Sequence, residues 1–144
     1  PHWDDQARGL VSGLTRGSSL AQLARATIES IAYQVHDVFE AMQDASSGSL
    51  SVLLVDGGVT RNEQLMQFQA DIIDVPVPRN DTAGLSAVGA AYLAGLATGV
   101  WSSTGEVAAL PRSIKRFEPI MRASERNRLV AGWRDAVART TLRT

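Results

Sequence analysis

Leu50 to Asn62 reads LSVLLVDGGVTRN, and the fold of the chain turns on this stretch. An apolar run, Leu50 to Val55 with one serine in it, leads into Asp56-Gly57-Gly58. A short apolar run closed by turn residues predicts a buried strand. Beyond the glycines, Thr60-Arg61-Asn62-Glu63 has capping-box spacing: Thr60 would accept from the backbone N–H three residues on, and Glu63 would reach back. The predicted unit is strand, glycine turn, helix. In open α/β sheets, ligands sit beyond the carboxyl ends of the strands, where helix N-termini present free N–H groups. Gly57 and Gly58 place no side chain between the backbone and that space. A tight turn with nothing bound uses the same residues, so the double glycine alone leaves both readings open.

The chain has 144 residues, 44% of them apolar, which suits one domain over residues 1–144 with a core of ordinary size. A formal net charge of -1, with 20% charged residues, gives no general pull toward nucleic acid or an anionic membrane. Cysteine is absent, which excludes disulfides, thiolate metal sites and a cysteine nucleophile. His2 and His36 are far apart in sequence and show no metal spacing, so no metal-binding set is picked out. The first residues, PHWDDQARG, are polar, unlike a signal peptide, and a cytoplasmic setting fits. The chain opens on Pro1 without a methionine and reads as a piece of something longer, whose upstream part is expected to hold half of any active site.

Outward from the central stretch, Arg8 to Leu14 (RGLVSGL) predicts a short strand. Ser19 and Gln22 form a second capping box, and apolar residues from Leu20 to Met42 recur at i, i+3, i+4 spacing. This predicts a long amphipathic helix over 19–45, with His36 and Asp37 on its solvated face. After the glycine turn, Leu65, Met66, Phe68, Ile72 and Ile73 make an apolar stripe ending near Asp74. Val75-Pro76-Val77-Pro78 allows only a short or edge strand, because each proline lacks a ladder donor.

Ala83 to Trp101 carries no charge and approaches the length of a membrane span. Its many Gly, Ala, Ser and Thr residues predict instead a buried helix whose backbone lies close to its neighbours. The tail predicts a short helix or turn around Glu106–Leu110, an extended Ile114–Phe117, and a last helix capped by Ser124 with Leu129, Val130, Trp133 and Val137 on one face. The arginines of this tail are interleaved with acids and read as a solvated surface, not an RNA-binding one.

Taken in order, these segments resemble the C-terminal domain of the FGGY carbohydrate kinases, and within that family its glycerol kinases. The resemblance is carried by WDDQARGLVSGLTRGSS, by the helix around Glu29–Gln34 (ESIAYQ), by VDGGVTRNEQLMQFQADIIDVPVPR, and by SAVGAAYLAGLATGVW, RFEP and AGWRDAV. It implies an α/β fold of the ribonuclease-H-like, actin-like ATPase kind, this chain being the nucleotide-side lobe of a two-lobed kinase. In that family a hydrophobic strand followed by G-G-x-[ST] binds adenosine, and Val55-Asp56-Gly57-Gly58-Val59-Thr60 matches it.

The resemblance assigns nucleotide binding to Gly57, Gly58 and Asn62, with Asp56 and Thr60 as supports of the turn. It implies ATP and Mg²⁺ as cofactors, and a polyol or sugar held through an N-terminal lobe that would also carry the phosphate loop and the catalytic aspartate. No catalytic residue and no metal ligand is therefore assigned within the chain. Self-association is a further expectation, since half a cleft exposes apolar surface. One departure stands out. Glycerol kinases usually read E-T-T-A-L-G where this chain has Gly84-Leu85-Ser86-Ala87-Val88-Gly89. That leaves the substrate subfamily open, and keeps a second expectation alive: a kinase-derived domain that binds nucleotide or a partner protein without catalysis.

Overall fold

The computed structural model describes residues 4–82 and 84–141. Its elements run α1 (Leu20–Ala45), a 3-10 turn (Gly58–Arg61), α2 (Glu63–Ile73), β1 (Val77–Asn80), α3 (Leu85–Ala97), α4 (Thr104–Ala108), β2 (Ile114–Phe117) and α5 (Ala123–Thr141). The expectation of a mixed α/β fold holds.

The centre of the packing is α2. Its stripe buries Leu65, Met66, Ala70 and Ile73 against Ala32 and Phe39 of α1 and against Val77 and Phe117 of the sheet. A second cluster joins Ile72 of α2 to Tyr33 of α1 and Val130 of α5, with Phe68, Leu129 and Trp133 packed on it. The Tyr33 and Trp133 rings stack at 5.3 Å, and Phe68 meets Tyr33 edge-on at 5.5 Å. Leu65, Ile72 and Val77 are fully buried, each contributing about 1.5–3 kcal/mol of burial free energy. The long helix begins as its spacing predicts, with the Ser19 N–H donating to Gln22 Oε1 at 2.6 Å.

β1 and β2 pair antiparallel, Val77 opposite Phe117 and Asn80 opposite Ile114. The apolar run joins the other side of β1 in parallel: Leu53 N donates to Pro76 O, Val55 N to Pro78 O, and Asn80 N to Val55 O. β1 is therefore an inner segment, not an edge. Alternation of the ladder turns the nitrogen of Pro78 toward the Leu53 carbonyl, and proline has no hydrogen to give there. For that reason the run makes only an isolated bridge, Val55 to Arg79, instead of a regular strand. It is also not buried on both faces: Leu54 is 75% exposed and Val52 is exposed too.

Other expectations are corrected in the same way. Residues 8–14 form no strand, and Leu10, Val11 and Leu14 are exposed with no ladder beside them. The α3 helix, beginning at Leu85 because Gly84 takes a left-handed conformation (φ 67°), is largely exposed among the described residues, with Gly95 its one buried residue. Gly95 does have a packing reason. The Trp101 ring lies where a Cβ would stand, 2.2 Å from Cζ3. Ala83 lies outside the described residues. The last helix starts at Ala123, so Ser124 is inside it, and the Arg122 carbonyl accepts from Glu125 N and Arg126 N.

His36 and Asp37 do not form a solvated face. His36 is only 8% exposed, and Trp133 Nε1 donates to Asp37 Oδ2 at 2.8 Å. The polar side of α1 is covered because α5 docks on it, an arrangement of distant segments that helical periodicity does not encode. Most arginines of the tail are exposed, as a solvated surface requires, and two of them bond acids of other elements: Arg126 bonds Asp74 and Arg134 bonds Glu40, each at 2.7 Å. No helix among the described residues is long and apolar enough to cross a membrane.

Candidate functional site

At the carboxyl end of the apolar run the chain turns through Asp56, Gly57 and Gly58. Gly57 has φ 95°, a backbone conformation that L side chains rarely adopt, so the residue here must be glycine for the turn to close without strain. The 3-10 turn that follows is fastened from behind. Thr60, which is buried, donates from Oγ1 to Gly57 O at 2.7 Å, and its N–H reaches the same carbonyl at 3.2 Å.

The expected capping box therefore does not form, and the cap lies two residues further on. Residues 58–61 are spent in the tight turn, and α2 begins only at Glu63, with Asn62 as its cap: Asn62 Oδ1 accepts from Leu65 N at 3.1 Å. Glu63 instead pairs with Lys115 of β2, whose hydrogen bond and charge hold its carboxyl below the usual carboxylate range.

A cleft of about 490 Å³ opens over this turn. Asp56, Gly57, Gly58 and Thr60 form one wall; Arg79, Asn80, Asp81 and Thr82 form the floor; Gly84, Leu85 and Ser86 form the far wall. No atom lies within 4 Å of a Cβ built on Gly57 or Gly58, so a flat group can approach the backbone directly. Four of the five residues singled out in the sequence thus meet at one cleft. Asn62 does not line it. Its side chain is exposed at the start of α2, where Oδ1 is engaged in the cap and the amide NH₂ is left to donate.

Arg79 went unnoticed in the sequence. Its guanidinium donates from Nη1 to Thr60 O at 2.9 Å and from Nε to Asp81 Oδ1 at 2.7 Å, and it lies over the Phe117 ring with its carbon 5.7 Å from the centroid. The floor of the cleft is thereby bonded to its glycine wall. The available signal was the polar triplet Arg79-Asn80-Asp81 at the end of a Pro-Val-Pro strand, a position that faces ligand in open sheets. Asn80 Oδ1 accepts from Thr82 N at 2.9 Å and Asp81 N donates to Ser113 O at 2.9 Å, so the floor is a braced turn.

A braced double-glycine turn closing an extended segment, with a helix start across an open cleft, marks an α/β domain whose cleft is bordered by bare backbone. The C-terminal domain of the FGGY family of carbohydrate kinases matches residues 1–98, and the chain belongs to that family. It is 55% identical over 139 residues to glycerol kinase of Symbiobacterium thermophilum and 51% identical over 140 residues to glycerol kinase of Solidesulfovibrio magneticus, covering 96% and 97% of this chain and 28% of each relative. The structure superposes on Plasmodium falciparum glycerol kinase with ADP at a TM-score of 0.87 and 33% identity, over 100% of this chain and 29% of that one. The chain thus spans little more than a quarter of the length of the relatives it matches.

Proposed function

We propose that the full-length protein is an ATP-dependent polyol kinase acting on glycerol, and that residues 1–144 form its nucleotide-side domain. What carries the reading is the bare backbone at Gly57 and Gly58, facing a 490 Å³ cleft in a chain about half identical to glycerol kinases. The residues fit adenosine in kind. Two glycines without a neighbouring atom leave room for a ribose or purine face, and Arg61 stands at the rim as a donor, while the Asn62 amide lies outside the lining. Asp56 and Thr60 support the turn, Thr60 through its bond to Gly57 O.

ATP supplies the transferred phosphoryl group, and Mg²⁺ the charge neutralisation that such transfers need. In this chain's share of the work, the glycine wall receives the nucleoside, Arg79 holds that wall on β1, and the far wall at Gly84–Ser86 borders the same space. The acceptor polyol and the base that deprotonates it belong to the partner lobe, and closure of the two lobes excludes water. A cytoplasmic setting accords with a chain free of cysteine.

The test is a coupled kinase assay on the full-length protein with Mg·ATP and glycerol, against xylulose, ribulose and erythritol. Glycerol is expected to give the highest kcat/KM, and residues 1–144 alone no turnover. A full-length protein that binds ATP but phosphorylates none of these would favour the non-catalytic alternative, for which the departure at Gly84-Leu85-Ser86 is the supporting observation.

A further inference from the structure

Away from the cleft, α1 and α5 enclose a second polar group. His36, Asp37 and Glu40 project from one face of α1, and one donor atom from each lies within 4.8 Å of the others. His36 Nδ1 is 3.7 Å from Asp37 Oδ1 and 3.7 Å from Glu40 Oε2. That exceeds hydrogen-bond length, and Nδ1 is buried with no hydrogen-bond partner. Buried polar atoms are nearly always satisfied, so one that is aimed at two carboxylate oxygens and bonded to neither calls for an explanation.

We propose that His36, Asp37 and Glu40 bind a divalent cation of the zinc class. Ligand atoms around tetrahedral zinc, with bonds of about 2.0–2.2 Å, stand roughly 3.3–3.5 Å apart. The two 3.7 Å separations are close to that spacing, and the third, between the two carboxylates, lies within 4.8 Å. An imidazole nitrogen with two carboxylate oxygens suits zinc and its first-row neighbours; magnesium and calcium prefer all-oxygen sets of six or more. Histidine and glutamate at i, i+4 reach one point from a single helix face.

The surroundings supply what such a site requires. Trp133 Nε1 donates to Asp37 Oδ2 at 2.8 Å, and Arg134 Nη2 bonds both Glu40 oxygens at 2.7 and 2.8 Å, so both carboxylates are oriented by α5. A cavity of about 480 Å³, lined by His36, Glu40, Ile73, Val130 and Arg134, provides an approach and room for a water as fourth ligand. Since the ligands lie on α1 and their orienting groups on α5, the cation would clamp the two helices together.

The experiment is calorimetric titration of the whole chain with Zn²⁺, with Co²⁺ as the spectroscopic probe and thermal melting alongside. One equivalent is expected to bind, Tm to rise, and Co²⁺ to give a tetrahedral visible spectrum. Both His36→Ala and Glu40→Gln should weaken binding by more than tenfold, and Trp133→Phe, which removes the indole donor to Asp37, by about tenfold. Circular dichroism identifies any variant that fails to fold; Glu40→Gln, on the more open side, keeps the test decisive if His36→Ala does. Absence of any Zn²⁺ effect in the folded chain overturns the proposal. So does binding that survives Glu40→Gln and is lost in His2→Ala, which would place the metal at the N-terminus.

Discussion

Arg79 reaches from β1 to the carbonyl of Thr60, 2.9 Å from its Nη1, and so joins the inner strand to the glycine turn. A second arm of the same guanidinium is held by Asp81 at 2.7 Å. Replacing Arg79 with Ala removes both bonds and is expected to lower stability by about 1–3 kcal/mol. It should also weaken nucleotide binding by the full-length protein several-fold, because the turn loses its brace. Arg79→Lys keeps the charge but lacks the planar fork, and should recover only part of the loss. Nucleotide titration beside a denaturant melt checks this; unchanged affinity in both variants would sink the bracing role.

The two glycines of the turn should respond differently to alanine. Gly57, at φ 95°, is strained by any side chain, and Gly57→Ala should destabilise the protein by about 1–2 kcal/mol. Gly58 has ordinary φ and open space at its Cβ position, so Gly58→Ala should change stability by no more than about 0.5 kcal/mol. Its methyl would nevertheless stand in the cleft. Loss of ATP affinity with an unchanged Tm is the expected signature, and equal affinity in wild type and Gly58→Ala would show that the ligand does not rest on that backbone.

Asp71 is a buried carboxylate on α2 whose Oδ1 accepts from Ile120 N at 2.7 Å, Met121 N at 3.0 Å and Gln67 Nε2 at 3.2 Å. Asp71→Ala leaves two backbone donors without that acceptor and should cost about 3 kcal/mol. A loss of that size lowers Tm by roughly 10 °C in a domain of this length. Asp71→Asn keeps an acceptor oxygen in place and should cost less than half as much.

Burial, with a smaller contribution from the nearby Glu29 carboxylate, pushes the Tyr33 phenol up to about 12 from its ordinary value of 10.0. Between those limits the folded chain keeps a proton that the unfolded chain has lost. Stability is then fully present below about pH 10 and declines as pH rises toward 12. Denaturant melts across that range should show the decline, and Tyr33→Phe should remove that component of it while leaving the rest of the alkaline profile in place.

Periodicity made α1 and α2 legible, because their apolar stripes are local and their partners are each other. β2 was legible at its observed limits for a similar reason: Ile114–Phe117 is a short extended stretch between breaks. The glycine turn was legible because few residue types tolerate the backbone it needs. What could not be read were features set by distant segments. Burial of His36 depends on α5, a hundred residues along the chain, and Arg79 depends on Thr60 in another element. The exposed faces of the apolar run and α3 have a different origin. Their composition asks for cover, and the described residues do not supply it.

The run from Leu50 to Val55 packs Leu50, Leu53 and Val55 on the core, yet few hydrogen bonds hold it: two backbone bonds to β1, one to Pro76 just before it, and one from Leu50 N to Gln43 Oε1 at 2.8 Å. Pro78 withholds the donor that would extend the ladder. Regions with few buried contacts and few internal bonds open locally at a small fraction of the global unfolding free energy. In this chain the amides of Leu53 and Val55 should exchange with solvent deuterium well before those of Leu65 to Ile73 on α2. Greasiness and rigidity are thus separated here: the apolar run is the pliant edge, and the helix beside it is the anvil.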